Sequence, residues 1–207
     1  MERTVWLVRH GHRLDFASPE WFETADRRYD PPLSTEGLEQ VQKLAQRLAP
    51  EKIDHIFCSP FLRAVQTAYP LADSLNLSIK VEAGLGEWLN PQWITESPET
   101  EPWESLCRQY PLIEPHYCSC VIPSYPETET AMMTRLAVVT EQLTTKFSGN
   151  LLFVGHMATV AEVATSLLGR NAIAKVPVAS ITQLVQTQQR WQLRLNADIS
   201  HYWPQTA

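Results

Sequence analysis

Four places in the sequence put a polar, reactive side chain directly behind a short apolar run. Arg9 and His10 follow Val5-Trp6-Leu7-Val8, and Ser59 and Arg63 follow residues 53–58. Glu87 follows residues 77–81 and a glycine-containing break, and His156 follows the run Leu151-Leu152-Phe153-Val154-Gly155. Phosphoryl transfer calls for this set: an in-line nucleophile, charge stabilisation on the equatorial oxygens and a proton for the leaving group. Arginine suits the second task, because its planar fork binds phosphate oxygens bidentately and stays charged. A neutral imidazole suits the first, provided its other ring nitrogen donates to a fixed acceptor. Glu87 suits the third as general acid, then as base for the hydrolytic water, if its pKa is high enough to hold a proton. On the residues alone, His12 is as good a nucleophile candidate as His10.

These groups need elements to carry them, and the hydrophobic periodicity supplies candidates. Residues 5–8, 53–58, 77–81 and 151–154 read as strands. Ser34 reads as the N-cap of an amphipathic helix in which Leu38, Val41, Leu44, Ala45 and Leu48 recur at helical spacing until Pro50. A second helix is expected after residue 58, with Ser59 as N-cap, Pro60 at the first helical position and Arg63 in the first turn. There the free N–H groups and the helix dipole also favour an anion. Residues 128–147 and about 158–168 read as two more helices, and residues 180–186 and 191–195 as a last pair of strands with Gln188-Gln189 between them as a hairpin turn. Residues 14–33 show no period and are expected to be a loop over the site.

The alternation implies an α/β fold, a three-layer α/β/α arrangement around a mostly parallel sheet, with ligands outside the carboxyl ends of the strands. From Pro91 to Pro126 lie seven of the fifteen prolines, with Trp93, Trp103 and three of the four cysteines. The aromatic content is too high for a solvated linker, so an ordered insertion forming a lid or specificity wall is expected over the active site. At 207 residues, with neither a repeat nor a charge block dividing it, the chain is read as one domain over 1–207 with an insertion at approximately 88–127.

A formal net charge of -6 argues against a nucleic-acid surface, so any anion site must be local. No stretch is long and apolar enough to span a bilayer, and no membrane partner is expected. Cys58, Cys107, Cys118 and Cys120 lack the density and spacing of a disulfide framework, which points to reduced thiols and a cytoplasmic protein. Cys118-Ser119-Cys120 has no second close pair to complete a zinc site. His55, inside a strand pattern, reads as structural.

Three motifs in order carry a family resemblance. Leu7-Val8-Arg9-His10-Gly11, then Cys58-Ser59-Pro60-x-x-Arg63-x-x-Gln66-Thr67-Ala68, then Val154-Gly155-His156 together resemble the histidine phosphatase superfamily, the phosphoglycerate mutase-like family. Asp30-Pro31-Pro32-Leu33-Ser34-x-x-Gly37, and Glu127-Thr128 with Arg135, extend the likeness over nearly the whole chain outside the insertion. The resemblance implies a phosphohistidine on His10, a phosphate pocket of Arg9, Arg63 and His156 with Arg13 joining it, Glu87 as proton donor, and no metal or other cofactor. It also settles the choice between His10 and His12 in favour of His10. Arg-His-Gly-x-Arg with Gly84-Leu85-x-Glu87-Trp88 is similar to the branch holding the Sts-type tyrosine phosphatases and ecdysteroid-phosphate phosphatase. His12 departs from that branch, where a glutamate is more usual.

A phosphomonoester hydrolase is therefore expected, acting on a small-molecule or protein phosphomonoester. The alternatives are a phosphoglycerate mutase-type phosphotransferase, disfavoured because the Glu-Ser and Trp-Asn pattern after Arg-His-Gly is missing, and a catalytically weak phosphate-binding or scaffolding module. A metal site on His10, His12 and His156 is disfavoured by the neighbouring arginines, which repel a cation. The aromatic walls would tolerate an aryl leaving group. Oligomeric state has no reading in the sequence.

Overall fold

The structure is a computed structural model that describes residues 2–203 except residue 174. The ends of the expected 1–207 domain, Met1 and residues 204–207, lie outside the described residues. In chain order the elements are β1 (Arg3–Arg9), α1 (Leu14–Ala17), α2 (Trp21–Thr24), α3 (Thr35–Leu48), β2 (His55–Cys58), α4 (Leu62–Leu75) and β3 (Ile79–Val81). Then follow α5 (Trp103–Gln109), α6 (Glu129–Lys146), β4 (Leu151–Gly155), α7 (Met157–Leu168), β5 (Ile181–Thr187) and β6 (Arg190–Asp198).

The six strands form one sheet in the order β3-β2-β4-β1-β5-β6. The pairs among β3, β2, β4 and β1 are parallel, and β5 and β6 join antiparallel. Alternation along each strand sends side chains to two separate cores. Trp6, Val8, Ile56 and Cys58 pack with Leu44, Leu48, Ala64 and Val65 of α3 and α4. Val5, Leu7, Phe57 and Phe153 pack with Leu136, Val139, Val160 and Val163 of α6 and α7 on the other face. Buried on both faces, β4 is continuously apolar, and helices cover both sides of a mostly parallel sheet as expected.

Several local expectations change. Residues 14–33 fold partly into α1 and α2, two single-turn helices too short for a helical period to register. Leu38 is exposed rather than part of the apolar face; the buried stripe of α3 runs through Gly37, Gln40, Val41, Leu44, Ala45 and Leu48. Ser34 does cap α3, accepting from the Gly37 N–H. Ser59 and Pro60 do not start α4: its N-cap is Phe61, without a side-chain bond of its own, and the Ser59 hydroxyl both meets His156 Nε2 and accepts from the Phe61 N–H. The insertion is ordered and contains α5. Gln188 and Gln189 both take positive φ, 51° and 63°, so the hairpin turn forms with the twist that suits its strands even without Asn or Gly.

One glycine is required by a close approach. A Cβ on Gly37 would lie 2.1 Å from the His12 carbonyl oxygen. The start of α3 is thereby pressed against the chain just beyond β1, which fixes the path of the segment carrying His12 and Arg13.

Candidate active site

Register decides which residues meet. Arg9 stands opposite Gly155 across the parallel β1–β4 pair, so His10 and His156 emerge side by side one residue later. The His10 N–H donates to the Gly155 carbonyl at 2.9 Å, and the two rings lie edge to face with centroids 5.3 Å apart. Cys58 is level with Val154 on the other side of β4, and the Ser59 N–H donates to the Val154 carbonyl. That places Ser59 Oγ 2.8 Å from His156 Nε2.

His10 is almost wholly buried. Its Nδ1 is 2.8 Å from the Gly11 carbonyl; a carbonyl only accepts, so the proton sits on Nδ1 and the lone pair on Nε2. Nε2 is buried and has no hydrogen-bond partner among the described residues. Burial, then the charges of Arg63, His156 and Arg9, push the His10 pKa well below its ordinary value. His10 is thus a neutral imidazole with an unshared lone pair.

Arg63 and Arg9 flank it, and Arg13 stands in the adjoining cleft. Arg63 is buried, donates to the Tyr29 carbonyl at 3.3 Å and to Glu87 Oε2 at 3.2 Å, and lies over the Phe61 ring. Its Nε and that of Arg9 are buried without a partner among the described residues; such donors are strong anion ligands in a dry site. Arg9 also donates to the Val176 carbonyl at 2.6 Å. Arg13 is held bidentately by Asp15 and lies 4.4 Å from the Phe16 ring centre. It joins Arg63 and Glu87 in a cleft of about 190 Å³ walled by Phe22, Tyr29, Trp88, Trp93 and Ile94. A larger groove of about 480 Å³, lined by Glu36, Lys43, Tyr202 and Trp203 among others, gathers none of the residues singled out above.

Glu87 Oε2 is 3.1 Å from His156 Nδ1, a close contact outside strict hydrogen-bond alignment. Burial works to raise the Glu87 carboxyl, but His156 and Arg63 outweigh it and hold it well below the usual carboxylate range. Burial also lowers His156, to about 4, against the pull of Glu87. Glu87 is therefore ionised here rather than protonated, and acid duty requires something that raises it. Reactive atoms of His10, Glu87 and His156 all lie within 4.8 Å of one another.

His12 does not join this cluster. Its Nδ1 is 2.9 Å from Ser34 Oγ and its ring meets Phe16 edge to face, so the trio His10, His12, His156 is replaced by His10, Glu87, His156. Sequence reasoning missed the service groups: Asp15 behind Arg13, Ser59 behind His156, the Tyr29 carbonyl behind Arg63, and Asp30, which is 3.8 Å from Arg63 and accepts from the Leu62 N–H. All are one polar contact removed from the reacting atoms, and no periodicity announces them. Cys118 and Cys120, like the other two cysteines, are free thiols.

A family model described as the histidine phosphatase superfamily (branch 1) matches residues 5–199. The chain is 28% identical over 238 residues to the ecdysteroid-phosphate phosphatase of Drosophila melanogaster, with 92% of this chain and 31% of that protein covered. It is 29% identical over 212 residues to ubiquitin-associated and SH3 domain-containing protein B of Homo sapiens, with 81% and 32% covered. The chain thus spans about a third of the length of these curated relatives. The crystal structure of the Bombix mori ecdysone phosphate phosphatase in complex with tungstate superposes with a TM-score of 0.77 at 24% identity, covering 94% of this chain and 93% of that one. That likeness shows the fold.

Proposed function

Since the chain belongs to the histidine phosphatase superfamily, we propose that it hydrolyses phosphomonoesters through a phosphohistidine on His10. The observation that carries this reading is the buried, unshared Nε2 of His10, its tautomer fixed by Gly11, facing a cluster of arginines. Nε2 attacks phosphorus in line, the P–O ester bond breaks, and Arg9, Arg13, Arg63 and His156 hold the equatorial oxygens. Glu87 gives a proton to the departing oxygen. The same carboxylate then takes a proton from the water that attacks the P–N bond, freeing His10 and releasing phosphate.

Substrate supplies what raises Glu87. A phosphoryl dianion set against Arg63 offsets the positive field that holds the carboxyl low, so binding pulls Glu87 toward its protonated form. The acid is armed only when there is something to protonate.

The reading includes a single histidine-phosphatase domain with an insertion at residues 88–127, working in the cytoplasm without a metal. Four free thiols support the compartment. The clamp of arginines around His10 supports metal independence, since it repels a cation at the place where one would serve. Among the described residues no helix is long and apolar enough to cross a membrane. The cleft walls of Phe22, Tyr29, Trp88, Trp93 and Ile94 favour an aryl or otherwise apolar alcohol over a charged one, whether on a small molecule or a protein tyrosine.

The test is to mix the protein with a labelled aryl phosphate, quench within milliseconds and look for acid-labile, alkali-stable phosphate on His10. His10→Ala is expected to lose that label and at least about a thousandfold in turnover. An active wild type with turnover unchanged in His10→Ala overturns the proposal.

A further inference from the structure

Glu82 is fully buried, has no cationic partner among the described residues, and has no place in the chemistry above. Its carboxylate accepts four hydrogen bonds. Oε1 takes the Gly84 N–H at 2.9 Å and the Val121 N–H at 3.3 Å; Oε2 takes the Tyr117 hydroxyl at 2.7 Å and the Cys120 N–H at 2.8 Å. One of these donors belongs to the short turn that leads to Glu87. The other three belong to the insertion.

The backbone of that turn is accounted for almost group by group. The Ala83 N–H donates to Ser119 Oγ, again from the insertion. The Leu85 and Gly86 N–H groups close the turn on the Glu82 and Ala83 carbonyls. Arg135, itself held bidentately by Glu127, donates to the carbonyls of Gly84, Gly86 and Glu87. Thr159, one turn into α7 behind His156, donates to the Leu85 carbonyl. Carbonyls are thus gripped from α6 and α7, while the leading N–H groups are gripped by Glu82 and Ser119.

We propose that Glu82, acting with residues 117–121, is a positioning residue for Glu87, so that the insertion takes part in proton delivery as well as walling the cleft. The proposal rests on the phosphatase reading and on Glu87 as its acid. Glu82→Gln replaces one acceptor oxygen with a donor nitrogen, which sets two of the four donors against a donor. The turn then keeps only part of its tie to the insertion, through the Ala83–Ser119 bond and the remaining amide oxygen, while Arg135 and Thr159 hold it in place, and Glu87 loses alignment without leaving the site.

Proton donation matters in proportion to how poorly the leaving group departs. The experiment measures kcat/KM for two esters of similar shape, phenyl phosphate and p-nitrophenyl phosphate, whose nitrophenolate leaves with little need of a proton. Glu82→Gln is expected to lose about tenfold on phenyl phosphate and no more than about twofold on the nitrophenyl ester. In a Glu87→Gln background the same change is expected to cause no further selective loss, since there is then no acid to align. Tyr117→Phe removes one donor at the rim and is expected to show the same selectivity at about two- to threefold, which covers the case of a Glu82 variant that does not fold.

Equal losses on both esters, or a selective loss that persists in the Glu87→Gln background, overturn the proposal. A wild type that turns over neither ester sinks the phosphatase reading and this role with it, an outcome distinct from an active wild type whose variants show no selectivity.

Discussion

Arg13 and Asp15 form a bidentate ion pair with only Leu14 between them, Nε to Oδ1 at 2.8 Å and Nη2 to Oδ2. Asp15 is 6% exposed, and the guanidinium lies over Phe16. Two of its three nitrogens are thus committed to holding it still, leaving Nη1 for the cleft. Asp15→Asn is expected to free the fork and raise KM for an aryl phosphate about tenfold, with kcat changed no more than about threefold. Steady-state kinetics check this, and an unchanged KM would show that Asp15 does not orient Arg13.

The pH profile follows from His10. Burial and the flanking arginines hold its pKa well below the ordinary histidine value, so the nucleophile keeps its lone pair in mildly acidic solution. The acid limb of kcat/KM, which reports on the free enzyme, is expected to lie well below the unperturbed histidine value of about 6.5. A limb centred at 6.5 or above would mean that His10 is solvated.

Stability carries the same imprint with a definite sign. His156 titrates at about 4 when folded and near 6.5 when unfolded, so between those values the unfolded chain binds the extra proton. Its contribution is full above pH 6.5 and is lost as pH falls toward 4, about 2 kcal/mol of it by pH 5. Urea unfolding at pH 7 and pH 5 is expected to show that loss in the wild type and a smaller one in His156→Gln. His10, also lowered, adds to the trend in the same direction.

His12 is an anchor for Ser34 and Phe16 rather than part of the chemistry. His12→Ala is expected to keep kcat/KM within about threefold and to reduce unfolding free energy by about 1 kcal/mol through the lost side-chain bond. A loss in kcat/KM beyond about thirtyfold, with the fold intact, would give His12 a role in the reaction.

What the sequence made legible and what it hid divide along a physical line. Parallel strands buried on both faces are continuous apolar runs, so β1, β2 and β4 are visible as such, and the polar residue that follows each run marks the edge at which the candidate site gathers. His10, Arg63, Glu87 and His156 are found that way, and all four converge. Hidden were contacts whose partners are set by the tertiary fold: Ser59 reads locally as a helix cap yet serves His156, and Glu82 carries no local signal yet collects four donors. The protonation of Glu87 was equally out of reach, because it depends on His156, which lies 69 positions further along the chain.

The strand order has a consequence in time. β1 lies in the interior of the sheet, between β4 and β5, yet its parallel partner residues begin at Leu151 opposite Val5. On a ribosome adding about 5–20 residues per second, the Val-Trp-Leu-Val strand waits roughly 7–30 s before β4 has been made. Until then His10 has no His156 beside it, and an apolar strand with both edges open is exposed to chaperones and to other nascent chains. Under the proposed function, the emergence of activity during translation would time the closure of the sheet.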